Sequence, residues 1–202
     1  MHGSDGKPYK TRDGGVMRLS DLLTTVTEAA ESKMKESEFV SEAERKATAE
    51  KVGIAAVKFG DLINHRTKDY IFDMDKFLSF EGKTGTYLLY TVTRINSVLK
   101  KTEGSKATEI SGIYSDTERE LILNIVLSGE AFMRSFNEKA PNYVCDNAYK
   151  LASLFSGFYH DNHIINEADE TKKASWIALC ELTRKMLLKH FDVLAIEPVE
   201  SM

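Results

Sequence analysis

Apolar residues recur at intervals of three and four along most of this chain, which is the spacing of one buried face on an α-helix. The pattern is clearest over residues 84–101, 142–160 and 171–194. Only three prolines and twelve glycines occur in 202 residues, whereas a β-sandwich or β-barrel needs many tight turns. The sequence therefore predicts an all-α protein, an antiparallel bundle of five or more helices.

Serine residues mark several of the predicted helix starts. Ser20 is the predicted N-cap of the first helix, because it directly precedes an apolar-periodic run. Ser41 and Ser115 each stand three residues before a glutamate, which is the pattern of a capping box. Gly129 is predicted to interrupt the helix that follows Ser115.

A loop and a helix near the middle of the chain, residues 77–94, carry the most unusual polar pattern. Tyr87, Tyr90 and Arg94 follow a glycine-flanked loop at helical spacing, which places two phenol rings and a cation on one face. Such a face suits the stacking of unpaired bases. The alternative is that both tyrosines are packed into the core of a purely structural helical protein.

The amino-terminal segment, residues 1–15, is polar and rich in glycine. Lys7, Lys10 and Arg12 lie within six positions of one another, so this segment could close over a polyphosphate. A solvated cloning scar or a frayed terminus is the other interpretation.

The composition limits the remaining possibilities. The formal net charge is −4, so any contact with nucleic acid must come from a local patch. Neither a membrane span nor a signal core is visible, which predicts a cytoplasmic protein without membrane contact. Cys145 and Cys180 are predicted to be buried free thiols. His160 and His163 lack a third ligand at suitable spacing, so no metal site is predicted.

Three blocks of the sequence resemble one known family. They are GKPYKTRDGGVMRLSDLL, then VGIAAVKFGDLINHRTKDYIFDMDKFLSFEGKTGTYLLYTVTRINSVL, then SLFSGFYHDNHIINEADE with the closing LAIEPVESM. In this order and spacing they resemble the carboxyl-terminal part of arginyl-tRNA synthetase, a class I aminoacyl-tRNA synthetase. The resemblance implies that residues 1–76 end the catalytic domain and that residues 77–202 form a helical anticodon-binding domain.

The resemblance also implies roles for particular residues. The segment around Lys7, Lys10 and Arg12 is similar to the signature loop that serves the phosphates of ATP, with magnesium, during arginine activation in the full enzyme. The residues implied in binding arginine tRNA are Lys83, Tyr87, Tyr90, Arg94, Tyr159 and Met202. Three positions depart from the family pattern: Thr86 replaces a proline, Leu89 a glutamine and Ser201 an arginine.

The family's HIGH-type ATP-binding signature and its βαβ nucleotide fold do not occur in this sequence. The resemblance therefore implies a fragment of an arginine–tRNA ligase that is inactive alone and monomeric. The alternative is a stand-alone module that binds tRNA or another RNA without catalysis.

Overall fold

The computed structural model describes residues 18–35, 40–102 and 109–202, and every regular element in these ranges is helical. The predicted all-α architecture is therefore confirmed. None of the described helices is long and apolar enough to cross a bilayer. The elements in chain order are α1 (Leu19–Met34), α2 (Glu42–Leu62), α3 (Met74–Phe77), α4 (Gly85–Lys101), α5 (Asp116–Glu138), α6 (Asn142–Asp161), a 3-10 turn (Ile164–Asn166) and α7 (Glu170–Leu194).

One hydrophobic core joins these helices from α1 to the carboxyl-terminal tail. α1 packs on α2, α2 packs on α4, and α4 and α6 both pack on α7, while α5 covers α6. Phe59 of α2, Leu88 of α4, Phe155 of α6 and Phe191 of α7 are among its fully buried side chains. No second core separates the first helices from the later ones within the described residues.

Two glycines allow helices to approach closely. A Cβ atom at Gly53 of α2 would lie 3.1 Å from the backbone nitrogen of Thr27 in α1. A Cβ atom at Gly85, the first residue of α4, would overlap the carbonyl oxygen of Ala55 in α2. The start of α4 is thus fixed against the backbone of α2.

The first two predicted serine caps differ from the structure. α1 begins at Leu19, before Ser20, because the Arg18 carbonyl already accepts from the backbone N–H of Leu22 at 2.9 Å. Ser41 is the N-cap of α2, but its hydroxyl donates to the Glu44 carboxylate at 2.6 Å and accepts no backbone N–H. A hydrogen bond from a hydroxyl to a carboxylate is charge-assisted, which favours this pairing.

α5 shows the third serine cap largely as predicted. The Ser115 hydroxyl accepts from the backbone N–H of Glu118 at 3.2 Å. The Glu118 carboxylate reaches the N–H of Tyr114, one residue beyond the expected partner, at 2.8 Å, and also accepts from the Trp176 indole at 3.3 Å. The predicted interruption at Gly129 is wrong: α5 is continuous from Asp116 to Glu138, and Gly129 lies on its exposed side.

Candidate nucleic-acid interface

The aromatic face of α4 is positioned by a cap at its first turn. The Thr84 hydroxyl accepts from the backbone N–H of Tyr87 at 3.0 Å, which fixes the start of the helix. Tyr90 and Arg94 follow at successive turns, and both are half-buried. The opposite face of α4, including Leu88 and Leu89, lies in the core.

Arg94 lies between two tyrosines that come from different helices. Its guanidinium carbon is 4.6 Å from the centre of the Tyr90 ring and 5.6 Å from the centre of the Tyr159 ring. A terminal nitrogen of Arg94 also donates to the Tyr90 hydroxyl at 2.6 Å. Tyr159 reaches this position from the end of α6, where its ring stacks on buried Phe155 at 6.1 Å. The two rings and the cation form one surface.

The carboxyl-terminal tail returns to the same surface. Ala195 ends α7 in the left-handed conformation, with φ of 53°, and its carbonyl accepts a hydrogen bond from Lys58 of α2. Ile196 and Val199 are buried and anchor the tail on the core. Met202 consequently lines the groove beside Tyr90, Arg94 and Tyr159.

This groove has a volume of about 1060 Å³ and lies between α4, α7 and the tail. A second pocket of about 540 Å³ adjoins it and shares Arg94, Tyr159 and Ile165. The two pockets therefore form one continuous, open surface.

The charge of the groove is opposite in sign to that of the chain. Four cationic side chains line it, against the carboxylates of Glu181 and Glu200. The cations are Arg94, Lys100, Lys101 and Arg184. None of these four forms an ion pair with a carboxylate of the described residues. Unpaired cations in a groove attract phosphate groups, even on a protein with negative net charge.

The other two residues implied in tRNA binding lie outside the groove. Lys83 forms an ion pair with Asp146 at 2.7 Å and lies 5.6 Å from the centre of the Tyr149 ring. The Tyr87 ring lies 5.8 Å from that of Tyr149, and its hydroxyl is 3.0 Å from the Ser156 hydroxyl. The structure thus brings together Tyr90, Arg94, Tyr159 and Met202, and it places Lys83 and Tyr87 against α6. The sequence predicted that Tyr87 and Tyr90 share one face with Arg94. Only Tyr90 faces the groove with Arg94, because Tyr87 is turned toward α6.

The remaining residues singled out in the sequence are not part of the groove as the structure describes it. Lys7, Lys10 and Arg12 lie outside the residues that the structure describes. Cys145 and Cys180 are free and buried, as predicted. Burial raises the pKa of the Cys145 thiol, and burial likewise raises the pKa of Cys180 to about 12, so both thiols stay protonated at neutral pH. Within the described ranges no three His, Cys, Asp or Glu side chains are grouped to hold a metal.

Four groove residues were not predicted from the sequence: Asn96, Lys100, Lys101 and Arg184. Lys101 lies at helical spacing from Tyr90 and Arg94, so the periodicity of α4 already indicated that it shares their face. Asn96 lines the groove and accepts from Arg184 at 2.5 Å. Arg184 comes from α7, and nothing in its local sequence relates it to α4.

The family comparison covers the groove. Residues 88–202 match the family model of the DALR anticodon binding domain. The chain belongs to this family. Every residue that brings a ring or a cation into the groove lies within that anticodon-binding domain match, whereas Lys83 and Tyr87 precede it. Residues 1–74 match a second model, the catalytic domain of class I tRNA synthetases (R).

Two arginine–tRNA ligases are similar to the entire chain. The arginine–tRNA ligase of Alkaliphilus oremlandii is 47% identical over 205 residues, which is 100% of this chain and 35% of that protein. The arginine–tRNA ligase of Hyphomonas neptunium is 41% identical over 207 residues, again 100% of this chain and 35% of the relative. The chain thus spans about a third of the length of these relatives. The resemblance to the carboxyl-terminal part of arginyl-tRNA synthetase is confirmed, and the stand-alone alternative is not favoured.

Solved structures share the fold. Arginyl-tRNA synthetase of Thermus thermophilus matches with a TM-score of 0.88 at 21% identity, covering 100% of this chain and 34% of the other. That of Plasmodium falciparum matches with a TM-score of 0.75 at 24% identity, covering 93% and 34%. At these identities the likeness concerns the arrangement of helices, and it supports the helical bundle.

Proposed function

We propose that the groove binds the anticodon loop of arginine tRNA. The observation that carries the proposal is the meeting of Tyr90, Arg94, Tyr159 and Met202 at a groove whose cations have no described carboxylate partner. Unpaired bases stack on aromatic rings and on guanidinium planes, and the cations hold the backbone. Membership of an anticodon-binding domain family supports this ligand over other anionic ligands.

Lys83 and Tyr87 have supporting roles in this proposal. Lys83 is exposed, so it can exchange Asp146 for a phosphate of the tRNA. Tyr87 joins α4 to α6 through Ser156 and so stabilises the bundle.

The proposal extends to the complete enzyme, an ATP-dependent arginine–tRNA ligase. The cations Lys7, Lys10 and Arg12 would bind the phosphates of ATP, which enters with magnesium, while arginine is activated. The support is the match of residues 1–74 to a class I catalytic domain, together with the chemistry of three clustered cations. We place the boundary between the two domains at residues 76 and 77, in the interval between the two family matches. The proposal further holds that the protein is a cytoplasmic monomer.

Binding of a short RNA hairpin tests the groove directly. The hairpin carries the anticodon loop of an arginine tRNA, and its affinity is measured by fluorescence anisotropy. Tyr90→Ala removes one stacking ring and should weaken binding by about 1–3 kcal/mol. Tyr114→Ala is the matched control, because Tyr114 is exposed and lies outside the groove. Equal affinities for the wild type, Tyr90→Ala and Tyr114→Ala would refute the proposal.

A further inference from the structure

Arg184 of α7 faces α4 across the groove and is held in one orientation. Its Nε donates to the side-chain oxygen of Asn96 at 2.5 Å. This bond uses Nε, the guanidinium nitrogen that is bonded to the aliphatic part of the side chain. The two terminal nitrogens form no hydrogen bond or ion pair with a described residue, so their donors remain available.

The environment of Arg184 differs from that of Arg94. Arg94 lies over two tyrosine rings, whereas Arg184 lies over no aromatic ring among the described residues. Lys100 and Lys101 line the same groove and add positive charge around it. They also offset the negative end of the α4 dipole, which would otherwise disfavour an anion there. A fixed guanidinium fork with free terminal donors matches a phosphate group, which it can bind through two parallel hydrogen bonds.

We propose that Arg184 binds a backbone phosphate of the RNA strand in the groove, and that Asn96 is the positioning residue that orients it. This inference rests on the proposed function of the groove and gives its two ends different roles. Bases stack at the end with Tyr90, Arg94 and Tyr159, and the phosphodiester backbone is held at the end with Arg184. Neither Arg184 nor Asn96 belongs to the residues that the family resemblance implied.

The test is the salt dependence of hairpin binding by the full chain. Each neutralised phosphate of a single strand contributes about 0.7 to the slope of log K against log [salt]. Arg184→Gln should lower this slope by about 0.7, which corresponds to roughly fivefold weaker binding at about 0.1 M salt. Arg184→Lys should keep the slope, because it keeps the charge. The chain offers a matched control in Lys185→Gln, since Lys185 follows Arg184 on α7 but lines a different surface.

The position of the phosphate and the role of Asn96 need two further measurements. Replacing one loop phosphate at a time by an uncharged methylphosphonate should reveal a position that matters for the wild type and not for Arg184→Gln. Asn96→Ala should weaken binding in the wild type and have no effect in the Arg184→Gln background, since Asn96 acts through Arg184. A loss of affinity from Asn96→Ala in both backgrounds would overturn its positioning role.

Four outcomes would overturn the phosphate site. An unchanged slope for Arg184→Gln, with Tyr90→Ala still weakened, removes the site and leaves the groove's proposed function intact. Weakening by Arg184→Gln for one loop sequence only would indicate a base contact instead. Binding of inorganic phosphate to the wild type but not to Arg184→Gln, with no effect on hairpin affinity at constant ionic strength, would assign the site to a free anion. Failure of the wild type to bind the hairpin would remove the proposed function as well. A thermal melt of each variant checks that it is folded under the conditions of the binding measurements.

Discussion

The hydroxyl of Tyr87 lies 3.0 Å from the hydroxyl of Ser156, which joins the first turn of α4 to α6. Tyr90, three residues later, instead accepts from Arg94 at the groove. Two tyrosines that are neighbours on one helix therefore belong to different environments. One stabilises the bundle, and the other faces the proposed ligand.

Replacing Tyr87 should separate these roles. Tyr87→Phe keeps the ring against Tyr149 and removes the hydroxyl, so we expect a loss of about 0.5–1.5 kcal/mol in the free energy of unfolding. Urea denaturation measures this loss, and the affinity for the RNA hairpin should not change. Weaker hairpin binding with unchanged stability would show that Tyr87 contacts RNA itself.

Two glycines should respond to alanine in opposite directions. At Gly85 the added methyl group would overlap the Ala55 carbonyl, so Gly85→Ala should lower the free energy of unfolding by about 1–3 kcal/mol. At Gly129 a Cβ meets nothing within 4 Å, so Gly129→Ala should raise it by roughly 0.8–1 kcal/mol through helix propensity. Denaturant unfolding of both variants checks the pair, and stabilisation by Gly85→Ala would contradict the packing described for α4.

The serine caps give a second matched pair. Ser115 accepts from the N–H of Glu118, so Ser115→Ala should cost about 1 kcal/mol of unfolding free energy. Ser20 lies inside α1 and caps nothing, so Ser20→Ala should change stability by less than about 0.5 kcal/mol. Thermal and chemical unfolding measure both, and a larger loss at Ser20 would place the start of α1 where the sequence alone suggested.

Acid should weaken the bundle through His190. Its imidazole is buried, and as a neutral ring it donates from Nδ1 to the Met186 carbonyl oxygen at 2.8 Å, while Nε2 lies 2.7 Å from the side-chain amide of Asn147, whose NH₂ group can donate to it. Burial lowers the pKa of His190 below its ordinary value of 6.5. The unfolded chain therefore binds a proton more readily than the folded chain. The stabilisation that the neutral His190 ring contributes to the free energy of unfolding is fully present above pH 6.5. It is lost as the pH falls toward the lowered pKa of the folded state.

Two measurements check this expectation. An NMR titration should give a His190 midpoint below 6.5. His190→Gln should reduce the fall in unfolding free energy between neutral and mildly acidic pH. A midpoint at or above the ordinary value would contradict the neutral buried ring.

The sequence predicts the local features of the bundle better than its contacts. The periodicity of α4 and the cap at Ser115 depend on residues three or four apart, so they are visible in the sequence. Ser20 lies inside α1, and Ser41 is an N-cap whose hydroxyl donates to Glu44 and accepts no backbone N–H. That competition between two local hydrogen bonds is not decided by residue type alone.

The candidate site divides in the same way. Tyr90 and Arg94 lie on one helix, so their proximity follows from spacing. Tyr159 and Met202 came only from the family resemblance, because they reach the groove from α6 and the tail. Arg184 meets Asn96 only because α7 crosses α4, and Gly85 differs from Gly129 only in its neighbours. Contacts of this kind depend on tertiary packing, which a single sequence does not display.

The tail offers a spectroscopic consequence. Glu197 is paired with Lys51 of α2 at 2.6 Å, so the last five residues extend from a fixed point and Met202 stays within roughly 17 Å of it. The ε-methyl group of Met202 is one of seven methionine methyls in the chain, and among the methionines that the structure describes it is the one that lines the groove. In a sample labelled with carbon-13 at these methyls, its NMR signal would report the occupancy of the groove without any added probe.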